Sequence, residues 1–245
     1  MSDLPGWTAG SFSADGRVFP TYRRGTGPAV IVIHEIPGIT PPVLRFADEV
    51  ADAGFTVVLP HLFGTLNEDG GVVGGMTLFV RLCVRSEFTK LALQVTSPIA
   101  GWLRALARSL HTELGGPGVG AVGMCFTGGF ALAMTVDAPV VAPVMAQPSL
   151  PFAVGRRRAA DLNLSPTDLA AARRAAARGC SVLGLRYRGD RATGTRFETL
   201  RRELGDDFVA VEFDGKRHAT LTAHRQQEAV DRVLAFLRAR LQGLG

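Results

Sequence analysis

The sequence predicts an α/β fold in which a mostly parallel central sheet is covered by helices on both faces. Short apolar runs bounded by glycine or proline alternate with longer segments of helical periodicity, as they do in chains built from β-α-β units. Apolar residues form 47% of the 245 residues, which is enough for a large core. Because we find no repeat, low-complexity run or linker, we expect one domain over residues 1–245.

Six short apolar runs predict the strands of the sheet. They are Ala29–Ile33, Phe55–Pro60, Val119–Gly123, Val140–Ala146, Ser181–Tyr187 and Phe208–Phe213. The turn-forming residues of Ser13–Gly16 predict a small N-terminal hairpin. The glycine-rich segment Leu62–Arg85 has little periodicity, so we expect an irregular surface loop that could shape a pocket.

Segments of helical periodicity lie between these runs. Ser165 can cap a helix whose first position is Pro166 and whose first turn contains Asp168, which complements the helix dipole. The arginine-rich segment 155–178 that contains this helix is expected to form a small lid or surface helix. The predicted helices are Pro42–Ala53, Glu87–Leu110, Thr127–Val136, Pro166–Arg178, Gly194–Leu204 and Thr222–Leu241.

Composition argues against several classes of protein. The net charge of +5 comes largely from arginines in the last hundred positions, where a solvated helix face explains them. Only 7% of residues are aromatic and no basic patch is interleaved with them, so we expect no nucleic-acid partner. No apolar stretch approaches the roughly 18 residues of a membrane span, and the start "MSDLPGWTAG" lacks a signal-peptide pattern. We therefore expect a soluble, unexported protein with no membrane contact.

The cysteines and histidines suggest neither disulfides nor a metal site. Cys83, Cys125 and Cys180 are an odd number with no CxxC pair, and the five histidines show no HExxH or other ligand spacing. A cytoplasmic protein without metal or other cofactor fits this pattern best.

The segment "GMCFTGG" places Cys125 two residues beyond the predicted strand Val119–Gly123 and directly before a helix-like run. A strand, an abrupt turn and a helix describe a nucleophile elbow, as in α/β-hydrolases, and Gly123 supplies the small residue that such a turn needs. There the helix N-terminus would favour the thiolate, and the Phe126 amide would face a substrate carbonyl. Taken alone, Cys125 could equally be a buried packing residue.

Three further strand ends carry residues that a nucleophilic cysteine would need. "HEIPG" follows the first strand, with Glu35 beside the thiol and the Ile36 amide as a second oxyanion donor. "RGD" ends with Asp190, and "DGKRHATL" places His218 after the last strand, giving the order nucleophile, acid, histidine. Each assignment has alternatives. Glu35 could be an exposed loop residue or pair with an arginine. Competitors of Asp190 for the role of the acid are Asp206, Asp207 and Asp214. His224 competes with His218 for the role of the base, although we expect His224 inside a helix.

These motifs resemble the dienelactone hydrolase family of the α/β-hydrolase superfamily. The resemblance spans "AVIVIHEIPGI", "PHLFG", "GMCFTGGFALAM", "RGD" and "RHATL". It implies a triad of Cys125, His218 and Asp190 that attacks an ester or lactone, with Glu35 contacting the cysteine and helping to form the thiolate.

The chain departs from the family pattern at Thr127, where a glycine is expected two positions after the cysteine. The leading interpretation is a cofactor-free cysteine hydrolase of a small ester or lactone, one that carries a carboxylate bound by Arg81 and Arg85. A protein of this fold that binds a small molecule without turnover is the alternative, and a basic nucleic-acid-binding domain is a third interpretation.

Overall fold

The structure, a computed structural model, describes residues 4–67, 94–137 and 139–243. Ten strands lie in these ranges. They are β1 (Thr8–Ala14), β2 (Arg17–Arg24), β3 (Ala29–Ile33), β4 (Gly38–Ile39), β5 (Thr56–Pro60), β6 (Thr65–Leu66), β7 (Val119–Met124), β8 (Val140–Ala146), β9 (Val182–Tyr187) and β10 (Phe208–Phe213).

Eight of these strands form one sheet in the order β1-β2-β5-β3-β7-β8-β9-β10. β1 pairs antiparallel with β2, β2 pairs antiparallel with β5, and every later pair is parallel. The predicted hairpin is confirmed, since β1 and β2 meet around Asp15 and Gly16. All six predicted strands are present, with ends that differ by one residue at most.

Helices occupy the segments between the strands. They are α1 (Pro41–Asp52), α2 (Ile99–Leu114), α3 (Gly128–Ala133), α4 (Gly155–Ala160), α5 (Pro166–Ala177), α6 (Arg196–Leu204) and α7 (Gln227–Leu241). The predicted cap of α5 is present, with Ser165 Oγ accepting a hydrogen bond from the Asp168 amide at 3.1 Å. In the described part of the chain, no helix is long and apolar enough to span a membrane.

Two packed cores lie on opposite faces of the sheet. Ile31 and Ile33 of β3 belong to one, with Trp102 of α2, whereas Val30 and Val32 belong to the other. Successive strand residues point to opposite faces, and helices bury both faces, so β3 is apolar at every position.

Three helix predictions were wrong by three residues or more at an end, and the helix predicted over Gly194–Leu204 begins two residues later, at Arg196. Residues 87–93 of the predicted helix Glu87–Leu110 lie outside the described ranges. In the described part, which starts at Gln94, the helix begins only at Ile99, directly after Pro98. It continues to Leu114, four residues beyond the predicted end. The helix predicted over Thr127–Val136 follows a single 3₁₀ turn at Cys125–Thr127 and ends at Ala133.

The last helix begins at Gln227 instead of Thr222, so His224 lies in a turn outside it. Ala219 has a left-handed φ of +60°. The amides of Thr222 and His224 both donate to its carbonyl, at 3.2 and 3.0 Å. These bonds fold residues 219–224 into a compact turn, and the helix can therefore begin only after it.

The predicted loop Leu62–Arg85 is described only as far as Asn67. Within that part, β6 pairs with β4 in a small parallel sheet, which attaches the start of this segment to the loop after β3. Cys83, Arg81 and Arg85 lie outside the described residues.

Candidate active site

The carboxyl ends of β3, β7, β8, β9 and β10 meet at one edge of the sheet, where the predicted site residues lie. Parallel strands place the residues that follow them at a common edge, which is where ligands bind in open α/β sheets. The loops there contain Glu35, Cys125, Gln147, Asp190 and His218.

Cys125 lies on a strained turn between β7 and α3. β7 extends to Met124, so Cys125 follows the strand directly, one residue sooner than predicted. Its φ of +53° is left-handed, a conformation that a side-chain-bearing residue adopts only where its surroundings enforce it. A Cβ on Gly123 would lie 2.4 Å from the Thr127 carbonyl oxygen, so the turn requires glycine at position 123.

Thr127, the departure from the family pattern, fixes this turn. Its buried hydroxyl accepts a hydrogen bond from the Met124 amide at 3.0 Å. Its hydroxyl oxygen also lies within hydrogen-bonding distance of the carbonyl oxygens of Ile33, His34 and Met124, at 3.0, 3.2 and 3.0 Å. Thr127 therefore attaches the elbow to the end of β3 and to the first residue of the "HEIPG" loop.

His218 lies between Asp190 and Cys125. Its Nδ1 is 2.6 Å from Asp190 Oδ2, and its side chain is 27% exposed while that of Asp190 is 4% exposed. Burial lowers the pKa of His218, but the charge of Cys125 and hydrogen bonds with Asp190 and Cys125 outweigh this and raise the pKa to about 11. The imidazole is thus held in its charged form, with a carboxylate on one side and sulfur on the other.

Asp190 is held by its own loop as well as by His218. The Ala192 amide donates to Oδ1 at 3.0 Å and the Thr193 hydroxyl donates to Oδ2 at 2.7 Å. Burial raises the pKa of Asp190, but the bond and charge of His218, with the bonds from Thr193 and Ala192, leave it below its ordinary value. The carboxylate stays ionised and oriented toward the imidazole.

The competing residues do not occupy these positions. Asp214 is 98% exposed and pairs with Arg188, and Asp206 and Asp207 precede β10, at the opposite end of that strand. His224 is exposed, and its Nδ1 donates to the His218 carbonyl oxygen at 2.6 Å. His224 therefore contacts the backbone of the His218 loop.

Glu35 is buried, being 7% exposed, and no arginine in residues 4–67, 94–137 or 139–243 pairs with it. Burial raises the pKa of Glu35 above its ordinary value, although the bond from Thr222 and the charges of His218 and His224 oppose the shift. Among the described residues, the Thr222 hydroxyl donates a hydrogen bond to Glu35 Oε1, whereas the buried Gln147 Nε2 has no hydrogen-bond partner. A hydrogen bond between Glu35 and the cysteine, a contact that the resemblance implies, is not found among these residues either.

His34 orients the loop that carries Glu35. Its Nδ1 donates to the Glu35 carbonyl oxygen at 3.0 Å and its Nε2 accepts from the Leu62 amide at 3.1 Å, which fixes the neutral tautomer. Burial lowers the pKa of His34 to about 3, despite the bond to Glu35. His34 is therefore a neutral brace between two loops.

The two predicted oxyanion donors lie on loops that Thr127 joins. Phe126 follows Cys125 and is buried against Phe63 and Phe130. In the described ranges, the Ile36 amide has no hydrogen-bond partner, which leaves it available to a ligand.

Sequence reasoning missed the polar residues that follow β8. Gln147 is fully buried, and its Oε1 accepts from the amide and hydroxyl of Thr220 at 3.2 and 2.8 Å. Ser149 is 5% exposed, and its Oγ lies 3.4 Å from Cys125 Sγ. The strand-end rule applied to β3, β7, β9 and β10 would have found both residues had it been applied to β8.

The described side chains include no group of three His, Cys, Asp or Glu residues that could hold a metal ion. The three groups that converge instead are a thiol, an imidazole and a carboxylate, which together suit nucleophilic acyl transfer.

The model of the dienelactone hydrolase family matches residues 16–155, more than half of the chain. No curated protein matches the chain.

Solved structures share the fold at low sequence identity. A dienelactone hydrolase candidate from Klebsiella pneumoniae subsp. pneumoniae MGH 78578 is 20% identical, with a TM-score of 0.63 over 96% of this chain and 98% of that one. The dienelactone hydrolase from Anabaena variabilis ATCC 29413 is 16% identical, with a TM-score of 0.62 over 96% and 98%. A cold-adapted esterase from an Arctic intertidal metagenomic library is 15% identical, with a TM-score of 0.58 over 98% and 100%. The predicted α/β-hydrolase fold is confirmed.

Proposed function

The chain belongs to the dienelactone hydrolase family of ester-bond hydrolases, and from this premise we propose that it is a cysteine-dependent hydrolase of a small ester or lactone. Cys125 is the nucleophile, His218 the proton carrier and Asp190 the residue that orients the imidazole. The observation that carries the proposal is the position of His218, which contacts Asp190 at 2.6 Å and also Cys125. Each of the three comes from a different strand end, so local sequence alone does not explain their meeting.

In the first half of the reaction the Cys125 thiolate attacks the carbonyl carbon of the substrate. The carbonyl oxygen becomes an oxyanion, which the amides of Phe126 and Ile36 stabilise. The tetrahedral intermediate collapses to a thioester on Cys125, and the alkoxide that leaves takes the proton of His218. For a lactone this alkoxide stays attached to the acyl group, because the ring has opened.

In the second half His218, now neutral, removes a proton from water as the water attacks the thioester carbon. The same amides stabilise the second oxyanion, and its collapse releases the carboxylic acid and the thiolate. Asp190 keeps Nδ1 protonated in both halves, so that Nε2 carries the exchanged proton. These steps use only groups of this chain.

Three finer elements complete the proposal. Glu35, buried beside the His218 loop, assists formation of the thiolate when substrate enters. Arg81 and Arg85 pair with a carboxylate on the substrate. The protein is cytoplasmic, since three cysteines without a CxxC pair fit a reducing compartment.

The test measures hydrolysis of p-nitrophenyl acetate and of a dienelactone by wild type, Cys125→Ala, His218→Ala and Asp190→Asn. We expect each variant to lose at least roughly a hundredfold in kcat/KM, because each removes a member of one catalytic unit. Cys180→Ala is the matched control, since it removes a thiol bonded to the Val140 carbonyl oxygen, away from the site.

Wild type that turns over neither substrate faster than Cys125→Ala would contradict the proposal. It would favour the alternative, a protein of this fold that binds small molecules without turnover. An unchanged rate in Asp190→Asn would remove Asp190 from the triad while leaving the nucleophile in place.

A further inference from the structure

We infer that Ser149 is a further catalytic residue, whose hydroxyl donates a hydrogen bond to the thiolate of Cys125 and holds it in the reactive form. The inference rests on the proposed function, because it assigns a partner to the nucleophile named there.

Two contacts join the same pair of residues. Ser149 Oγ lies 3.4 Å from Cys125 Sγ, and the Ser149 amide donates to the Cys125 carbonyl oxygen at 3.0 Å. The backbone hydrogen bond fixes the main chain of Ser149 relative to Cys125. The position of the hydroxyl near the sulfur therefore depends on the backbone as well as on the side-chain rotamer. A Cβ on Gly128 would lie 2.7 Å from Pro148 Cα, which shows how closely the loop after β8 packs on the elbow.

The Cys125 sulfur is the hydrogen-bond partner of the Ser149 hydroxyl. Ser149 is 5% exposed, so water does not readily satisfy its hydroxyl. Across the described ranges, that hydroxyl makes no other hydrogen bond. A buried hydroxyl without a partner is costly, which favours retaining this contact.

The direction of the bond follows from the site. Once the cysteine proton is on His218, the sulfur carries no hydrogen and can only accept. Ser149 Oγ must then be the donor, and the thiolate accepts from two sides, the imidazolium and the hydroxyl. A hydrogen bond to the charged form of a group favours that form. Ser149 therefore stabilises the attacking thiolate through a contact that the triad itself does not supply.

The hydroxyl also has a role after the first half of the reaction. A thioester sulfur accepts hydrogen bonds poorly compared with a thiolate, so acylation releases the Ser149 hydroxyl next to the thioester. As deacylation restores negative charge on the sulfur, the hydroxyl donates to it again. The contact thus stabilises the leaving thiolate in the second half.

The experiment measures the rate of Cys125 alkylation by iodoacetamide as a function of pH. The background is the Cys83→Ala/Cys180→Ala variant, in which Cys125 is the remaining thiol. Adding Ser149→Ala or Ser149→Gly should raise the pH midpoint of alkylation by roughly one unit, as expected for one lost bond to a charged group. Hydrolysis of p-nitrophenyl acetate below that midpoint should fall about tenfold, since one pH unit is a tenfold change in thiolate population.

Ser165→Ala is the matched control, because it also removes a serine hydroxyl, one that caps α5. It should destabilise the protein without moving the alkylation midpoint. Unchanged midpoints in both Ser149 variants would overturn the inference and leave the proposed function standing. Failure of the proposed function would look different, with Cys125→Ala hydrolysing ester as fast as wild type.

Discussion

The hydroxyl of Thr127 lies 3.0 Å from the carbonyl oxygen of Ile33, the last residue of β3. Thr127 stands in the elbow of the adjacent strand β7, so this contact joins the turn that carries Cys125 to the loop that carries Glu35. The position at which the chain departs from its family pattern is therefore a structural connection between two halves of the site.

Thr127→Val should lower the free energy of unfolding by about 1 to 3 kcal/mol, because it leaves the buried Met124 amide without its acceptor. Activity should also fall, since the elbow loses its attachment to β3. Chemical denaturation and ester hydrolysis measure the two effects. Thr127→Ser keeps the hydroxyl and should retain most of both, and a serine variant as impaired as the valine variant would refute the hydrogen-bond explanation.

Gly123→Ala should destabilise the protein by at least about 1 to 3 kcal/mol, the usual cost of overpacking. The added Cβ would meet the Thr127 carbonyl oxygen at 2.4 Å, and a backbone atom within the elbow cannot rotate away. Gly10→Ala is the matched control, because its Cβ would meet Thr21 Oγ1 at an ordinary 3.5 Å. Thermal unfolding compares the two variants, and equal melting temperatures would contradict the steric argument.

His34 should make the protein sensitive to acid. Its pKa is about 3 in the folded chain, because burial disfavours the charged ring, and 6.5 is its ordinary value. Between these values the unfolded chain binds a proton that the folded chain does not, so the free energy of unfolding falls as the pH decreases. His34→Gln removes the titrating ring and should give a shallower dependence in urea unfolding. An identical dependence would show that His34 is not neutral in the folded protein.

The Glu35 carboxylate should lower the free energy of unfolding at neutral pH but increase activity. Its pKa is raised by burial, so ionising it is less favourable in the folded than in the unfolded chain. Glu35→Gln should therefore unfold with a higher free energy than wild type at neutral pH. The advantage should disappear as the pH falls below the ordinary value of 4.5, where both states are protonated.

The same variant should lose roughly a hundredfold in kcat/KM, a typical contribution of a group that exchanges protons. Glu49→Gln is the matched control, since Glu49 pairs with Arg225 in a partly exposed ion pair that contributes little. Glu35→Gln with wild-type activity would show that the buried carboxylate has no part in the reaction.

The sequence predicted the strand ends better than the loops between them. The runs from Ala29 to Ile33 and from Val140 to Ala146 are strands as predicted, because apolar residues bounded by glycine or proline are strong local signals. Asp190 and His218 meet as predicted, since their positions follow from strand order. The start of α7 was wrong, because the turn that displaces it depends on bonds to Ala219 that no periodicity reveals.

The supporting residues could not be predicted for the same reason. Gln147 and Thr220 are far apart in the chain and meet only after the loops following β8 and β10 come together. In the sequence, Thr127 is only a departure from an expected glycine. The contact of its hydroxyl with β3 becomes visible once the chain is folded. Contacts of this kind depend on tertiary packing, which neither propensity nor spacing encodes.

The central claim is that Cys125 forms the covalent intermediate, and trapping that intermediate tests it most directly. Wild type mixed with p-nitrophenyl acetate should be quenched in acid before steady state, digested and analysed by mass spectrometry. We predict one acetyl group per chain on the peptide that contains Cys125, absent in Cys125→Ala and retained in Cys180→Ala. Continued turnover with the acetyl group on another residue, or with none on Cys125, would contradict the account.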